Sequence, residues 1–362
     1  MSSKPNQNIK TPTIGAAQIR LLERLCNACA VSGEEGEVRK IVLEQVRPLA
    51  DEVQIDTMGN VLVIRRGQAE HRMKVMLAAH MDEVGMMIVQ DEEDGYYRFE
   101  TVGGIDVRQI VGKEVRIGSE RIPGVIGAKP VHLTTNEERN HTISLDSLRI
   151  DTGPVNKNKI KVGDRVAFAT SFTRIGPSLR AKALDNRLGV ATLIELVKNA
   201  PPNIDLLAAF TVQEEVGLRG ARVAAYALNP DLAIVLDSTP ANDLPAWDAS
   251  ENTRYNTRLG AGPAIYLADR STISDPRLVR FLIATAEEAG IRYQIRQPGG
   301  GGTDAGAIHT QRAGIPSVSV SVPSRYAHTA VSLARLSDWK DTLALVHTAL
   351  VRLTPQVLSI DR

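Results

Sequence analysis

From Asp185 onward, helical and strand patterns alternate along the chain, and that order restricts the fold more than any other feature. RLGVATLIELVKNA reads as a helix and IDLLAAFTV as a buried strand; LRGARVAAYAL is helical and LAIVLD a strand. DPRLVRFLIATAEEAG, YQIRQ, DAGAIHTQRAG and PSVSVSV continue the alternation, and the helix WKDTLALVHTALVRL closes it. Such an order predicts an α/β layer structure around a largely parallel sheet. KVMLAAH (74–80) is nearly unbroken apolar sequence, as expected of a strand of the same sheet buried on both faces. Upstream, residues 16–31 and 35–48 read as helices, and VQIDTMGNVLVIRRG as two short strands around a Met-Gly-Asn turn.

Residues 85–174 differ in texture. MMIVQD, YYRFETV, KEVRIG, GVIGA and RVAFAT are short β-like runs punctuated by Gly, Asp and Asn. They predict a small all-β module inserted between two parts of the α/β domain, 1–84 and 175–362.

Composition excludes several classes of function. Lys and Arg number 43 against 42 acidic residues, so charge gives no reason to expect a nucleic-acid or anionic-membrane partner. Aromatic residues make up 4%, too few for a base-stacking surface. No secretory signal or membrane-spanning run is evident, and a cytoplasmic protein with a frayed polar tail (MSSKPNQNIKTPT) is expected. The two cysteines, Cys26 and Cys29, form a single CxxC in a helical run. Without a second CxxC, they read as small apolar residues in a reducing compartment rather than as a redox or zinc element.

Five short segments concentrate histidine and carboxylate: AHMDE (79–83), LDNR (184–187), QEEVG (213–217), LDS (236–238) and RYAH (325–328). Alone, each is weak, because an Asp-Asn pair before a helix is usually a cap and a Glu-Glu pair is usually solvated. Their placement is what matters. His80, Glu214, Glu215, Asp237 and His328 each follow the end of an apolar strand. If those strands are parallel, the groups meet at the carboxyl edge, where open α/β sheets bind ligands. Two histidines and three carboxylates (Asp185, Glu215 and Asp237) suit zinc, cobalt or manganese better than calcium or magnesium. They are too many for one catalytic zinc and fit two cations roughly 3.5–4 Å apart sharing a carboxylate. His71, His132, His141, His309 and His347 lie outside such contexts.

AHMDEVG, ALDNRLG, QEEVGLRGA, VLDST, LGAGPAI, GGTDAGAI and PSRYAH, in this order, resemble the M42 family of metallo-aminopeptidases, which includes glutamyl and leucyl aminopeptidases and the tetrahedral TET peptidases. The resemblance implies a zinc-exopeptidase-like α/β/α catalytic domain with an inserted PDZ-like or barrel-like dimerisation domain, and dimers assembling into tetrahedral dodecamers. It implies that His80 and Asp237 hold one metal, that Glu215 and His328 hold the other, and that Asp185 bridges them. Glu214 becomes the general base, and Asp82 the carboxylate that orients His80. A bridging water supplies hydroxide near neutral pH, Glu214 passes its proton to the leaving amine, and the substrate is a peptide with a free N-terminus. GGGGTDAG, with Thr303 as helix cap beside Asp304, reads either as part of the substrate cleft or as a structural turn. Arg325 and Tyr326 line the same cleft or form an ordinary surface pair.

Two other enzyme readings stand beside this one. A deacylase or carboxypeptidase uses similar ligands on a similar sheet. An endoglucanase would need Glu214 and Glu215 as a carboxylate pair, and neighbours on a strand point to opposite faces. A non-enzymatic assembly role would leave the retained ligand set without purpose.

Overall fold

The computed structural model describes residues 11–154, 159–245 and 256–359, so most of the expected N-terminal tail lies outside the described residues. Strands occur at β1 (Glu52–Ile55), β2 (Val61–Arg65), β3 (Met73–His80), β4 (Gly85–Asp91), β5 (Tyr96–Val102), β6 (Glu114–Ile117), β7 (Ile122–Gly127), β8 (Arg149–Asp151) and β9 (Arg165–Phe168). They continue with β10 (Thr173–Ile175), β11 (Ser178–Ala181), β12 (Ile204–Thr211), β13 (Leu232–Pro240), β14 (Ala264–Tyr266), β15 (Gln294–Arg296), β16 (Ser317–Arg325) and β17 (Ser332–Arg335). One large sheet follows the order β1-β2-β12-β3-β13-β16-β17-β11-β10, with β14 and β15 attached beside β16. Its central strands, β12, β3, β13 and β16, run parallel, as the unbroken apolar runs predict. Antiparallel strands flank them, so the sheet as a whole is mixed.

Strand periodicity sorts the side chains into two layers. Val75, Leu77 and Ala79 join a large core with the helices Ala16–Asn27, Gly36–Val46, Leu184–Lys198, Pro276–Ala289 and Leu336–Arg352. Met76 and Ala78 face the other way, into a thinner, alanine-rich layer with Ala221, Ala224 and Ala225 of helix Arg219–Leu228 and with Ala305, Ala307 and Ile308. The result is an α/β/α sandwich. Strands β4 to β9 close into a separate barrel with its own core, which includes Met86, Ile88, Tyr97, Phe99, Ile150 and Phe168. Thr173–Ile175, at the end of the stretch read as a β module, pairs instead with β11 at the edge of the large sheet.

Two expected helices are shorter than their patterns. The first ends at Asn27, because Ala28 is extended and Ala30 and Val31 are drawn into bonds with Glu83. DAGAIHTQRAG contains only Ala305–Ile308, after which left-handed Arg312 (φ 55°) and Gly314 (φ 97°) turn the chain. Of the two cysteines, Cys26 is buried in the first helix and Cys29 lies beyond its end; both are free thiols. Burial pushes Cys26 up to about 12, which keeps it protonated. Among the described residues, no helix is long and apolar enough to cross a membrane.

His347, on the packed face of helix Leu336–Arg352, is 1% exposed, and burial holds its imidazole below the ordinary histidine value. The unfolded chain takes up a proton there below about pH 6.5 while the folded chain resists it. Stability associated with this group is therefore present above that pH and lost as pH falls. His347→Gln is expected to lose less melting temperature than the parent between pH 7 and pH 5; parallel losses would show that His347 does not contribute to the acid limb.

Candidate metal centre

Parallel register brings the first two groups together. Val235 pairs with Ala78, so two residues further on Asp237 stands beside His80, both on the alanine-rich face. His80 Nε2 lies 3.5 Å from Asp237 Oδ1 and 3.4 Å from Asp185 Oδ1. Asp185 reaches the site from the start of helix Leu184–Lys198, where Asp185 and Asn186 are not helical and the peptide between them is cis. Asn186 performs the capping expected of this pair, since its Oδ1 accepts from Gly189 N at 3.0 Å. The Asp185 side chain is thus released toward the histidines. Its second oxygen, Oδ2, faces His328 Nε2 at 3.7 Å, and Glu215 Oε2 lies 3.2 Å from the same nitrogen.

Glu214 and Glu215 lie beyond the end of β12, in a loop that starts from left-handed Gln213 (φ 55°). The strand alternation invoked against a paired role therefore does not apply to them. Asn60 holds the base of the loop, accepting from Val212 N at 2.9 Å and donating to Gly220 O at 3.1 Å. Asp82 holds its tip: its carboxylate accepts from Glu214 N (3.0 Å), Glu215 N (3.2 Å) and Ser32 Oγ (2.6 Å). Its Oδ1 is also 3.5 Å from His80 Nδ1, so Asp82 positions the glutamate loop at least as firmly as the ring. Glu214, almost fully buried, groups with His80 and Asp237, and Glu215 groups with His80 and Asp185.

These residues fit divalent cations on a structural ground. His80 Nδ1 is 3.2 Å from the Asp82 carbonyl, and His328 Nδ1 is 2.9 Å from the Gly104 carbonyl. Carbonyls only accept, so each Nδ1 carries a proton and each Nε2 is left facing carboxylate oxygens, as a donor in the charged ring or as a ligand in the neutral one. At 3.2–3.7 Å from those oxygens, each Nε2 needs a proton or a cation between them. Two ligands at about 2.0–2.1 Å from one tetrahedral ion stand roughly 3.4 Å apart, which matches these gaps. Electrostatics agrees. Burial pushes Glu215 up to about 8 and raises Glu214 and Asp237 as well. Burial works against protonating His80, yet Glu214, Asp185, Asp237 and Asp82 hold it well above the ordinary value. The cluster carries surplus negative charge that protons share unless a cation takes their place.

The remaining predicted residues separate. Asp304 is buried at the rear of the cluster, accepts from Thr211 Oγ1 at 2.5 Å, and is pushed up to about 7 by burial. Thr303 is not a helix cap: residue 304 precedes the four-residue helix, and the Thr303 hydroxyl meets Asp269 and Ser319 instead. Arg325 is held by Asp243 through two bonds of 2.6 and 2.9 Å, which occupies the face that an acidic substrate side chain would need. Tyr326 is left-handed and half exposed.

Sequence reasoning missed a buried support beneath the site. Lys182 Nζ donates to both oxygens of Glu83 at 2.7 Å, and Arg187 donates to Glu83 and to the Met81 and Asp82 carbonyls. All three side chains are at most 3% exposed, and together they fix the turn that carries His80 and Asp82. The available signal was a lysine and an arginine on either side of Asp185, just before the largely apolar run LGVATLIELV.

The profile of the M42 glutamyl aminopeptidase family matches residues 59–345. A TET aminopeptidase from a marine-sediment Thaumarchaeota archaeon superposes with a TM-score of 0.89 at 34% identity, over 95% of this chain and 98% of that one. The lysyl aminopeptidase of Pyrococcus furiosus is 32% identical over 92% of this chain and 97% of its own length. The TET1 peptidase of Pyrococcus horikoshii, which assembles into a tetrahedron or a large octahedral shell, superposes with a TM-score of 0.81 at 31% identity, over 93% and 100% of the two chains. Fold and site together define a metal-dependent hydrolase of peptide bonds. The chain belongs to the M42 family of aminopeptidases.

Proposed function

We propose that this aminopeptidase works with two divalent cations, one held by His80 and Asp237, the other by Glu215 and His328, with Asp185 shared between them. The observation that carries this reading is that the two oxygens of Asp185 face different histidines, at 3.4 and 3.7 Å. Zinc, cobalt and manganese suit the donor set. Bound there, the cations would polarise the scissile carbonyl and acidify water near neutral pH. Glu214 is the proton carrier: its carboxylate takes a proton from the attacking water and delivers it to the departing amine. Asp82 keeps Glu214 in place through its backbone, and the surrounding carboxylates favour the charged α-amino group of a free N-terminus. Since Arg325 is engaged by Asp243, preference for acidic N-terminal residues does not originate there. The likeness to TET1, which assembles into a tetrahedron or a large octahedral shell, supports self-assembly; in this reading the barrel forms dimers that build a tetrahedral dodecamer, and the protein works in the cytoplasm.

Aminoacyl-p-nitroanilides are expected to be cleaved and N-acetyl amino acids left intact, with activity lost on exhaustive chelation and restored by zinc, cobalt or manganese. Cleavage of only the acetylated set would favour a deacylase. Hydrolysis of cellulose that resists chelation would favour a glycosidase.

A further inference from the structure

The two histidines of the cluster are anchored differently. His80 Nδ1 meets the Asp82 carbonyl two residues along its own chain, within the α/β sandwich. His328 Nδ1 meets the Gly104 carbonyl, in the loop that leaves barrel strand β5. His328 sits in a left-handed backbone position (φ 58°) beyond the end of β16, and its side chain is 42% exposed; the Gly104 carbonyl is what holds its Nδ1 edge, opposite the carboxylates that face Nε2.

The barrel loop also touches the second ligand of that half. A Cβ on Gly103 would lie 3.4 Å from Glu215 Cβ and 2.8 Å from Val84 Cγ1. One on Gly104 would lie 3.3 Å from His328 Nδ1 itself. Gly104 therefore lets barrel backbone approach the His328 ring more closely than a residue with a side chain would, and Gly103 brings the same loop against Val84 and to contact distance of Glu215.

We infer that the Gly103–Gly104 loop of the barrel is a positioning element for the cation site formed by Glu215 and His328, fixing the His328 tautomer through the Gly104 carbonyl, so that occupancy of this site depends on how the barrel is seated. The His80–Asp237 site, whose anchor lies within the sandwich, does not share that dependence. The inference rests on the two-cation reading above.

Gly104 has no left-handed φ, so Ala and Val there test the approach to the ring without imposing backbone strain. Gly127, in barrel strand β7, is the control, because its added Cβ would meet only the Arg149 carbonyl at an ordinary 3.8 Å. Zinc per chain would be measured by elemental analysis during titration with a competing chelator, and the His328 tautomer by ¹⁵N-detected imidazole NMR. The parent and Gly127→Ala should each hold two zinc ions with Nδ1 of His328 protonated. In Gly104→Val, one of the two should be released at about 10–100-fold lower chelator strength, the usual effect of removing a ligand's outer partner, while the other is retained. Gly104→Ala should fall between. Melting curves confirm that each variant folds, and should Val unfold the chain, Ala carries the test. A parent with two zinc ions and folded Gly104 variants with unchanged retention and tautomer would overturn this inference alone. A parent that binds no metal would overturn the proposed function and this inference with it.

Discussion

Glu214→Gln is expected to hold as much metal as the parent and to turn over peptide substrates about 10²–10⁴-fold more slowly, the usual contribution of a positioned general base. Glu214 is close enough to His80 and Asp237 to serve as a ligand itself, so the two roles must be separated by experiment. A glutamine keeps the size and one carbonyl oxygen but cannot accept a proton at neutral pH. If Glu214 carries the proton, kcat falls while metal content and KM change little. If Glu214 is a ligand, metal is lost together with activity. Full activity in the variant would remove Glu214 from the chemistry altogether. The loop should keep its shape, since Asp82 holds it through the backbone amides of Glu214 and Glu215 rather than through their side chains.

Asp185→Ala should have the broadest effect on metal binding. Its two oxygens face different histidines, so its loss would remove a ligand from each proposed position. Metal content is expected to fall below that of either His80→Ala or His328→Ala. The rise in melting temperature that the parent shows on adding zinc should disappear, because a ligand stabilises only a fold it binds. A variant that still held two ions would show that Asp185 is not shared. Asp185→Asn, which keeps the shape and one acceptor, should fall between alanine and parent.

Much of this site was legible because it lies at strand ends. An aspartate closing LAIVLD and a histidine closing KVMLAAH are costly to bury unless they have partners, and parallel strands bring such partners to one edge. Local pattern failed where distant contacts decide. Glu214 and Glu215 follow an apolar strand, yet the turn at Gln213 and the bonds from Asp82 set their directions. The first helix stops early because Glu83, far along the chain, claims Ala30. DAGAIHTQRAG has helical spacing, but only Ala305–Ile308 is helical, and left-handed Arg312 and Gly314 turn the chain beyond it. Gly104 reads as an ordinary turn glycine, and nothing near it in sequence announces His328.

The scatter of these groups along the chain has a consequence for biosynthesis. The barrel strands all lie between Gly85 and Phe168, so this part can close while the ribosome is still making the remainder. The large sheet cannot, because β16, which fills the place between β13 and β17, emerges long after the barrel strands. A nascent chain thus presents His80 and Asp237 well before His328 arrives, and the candidate site becomes whole only once the residues beyond β16 have been made.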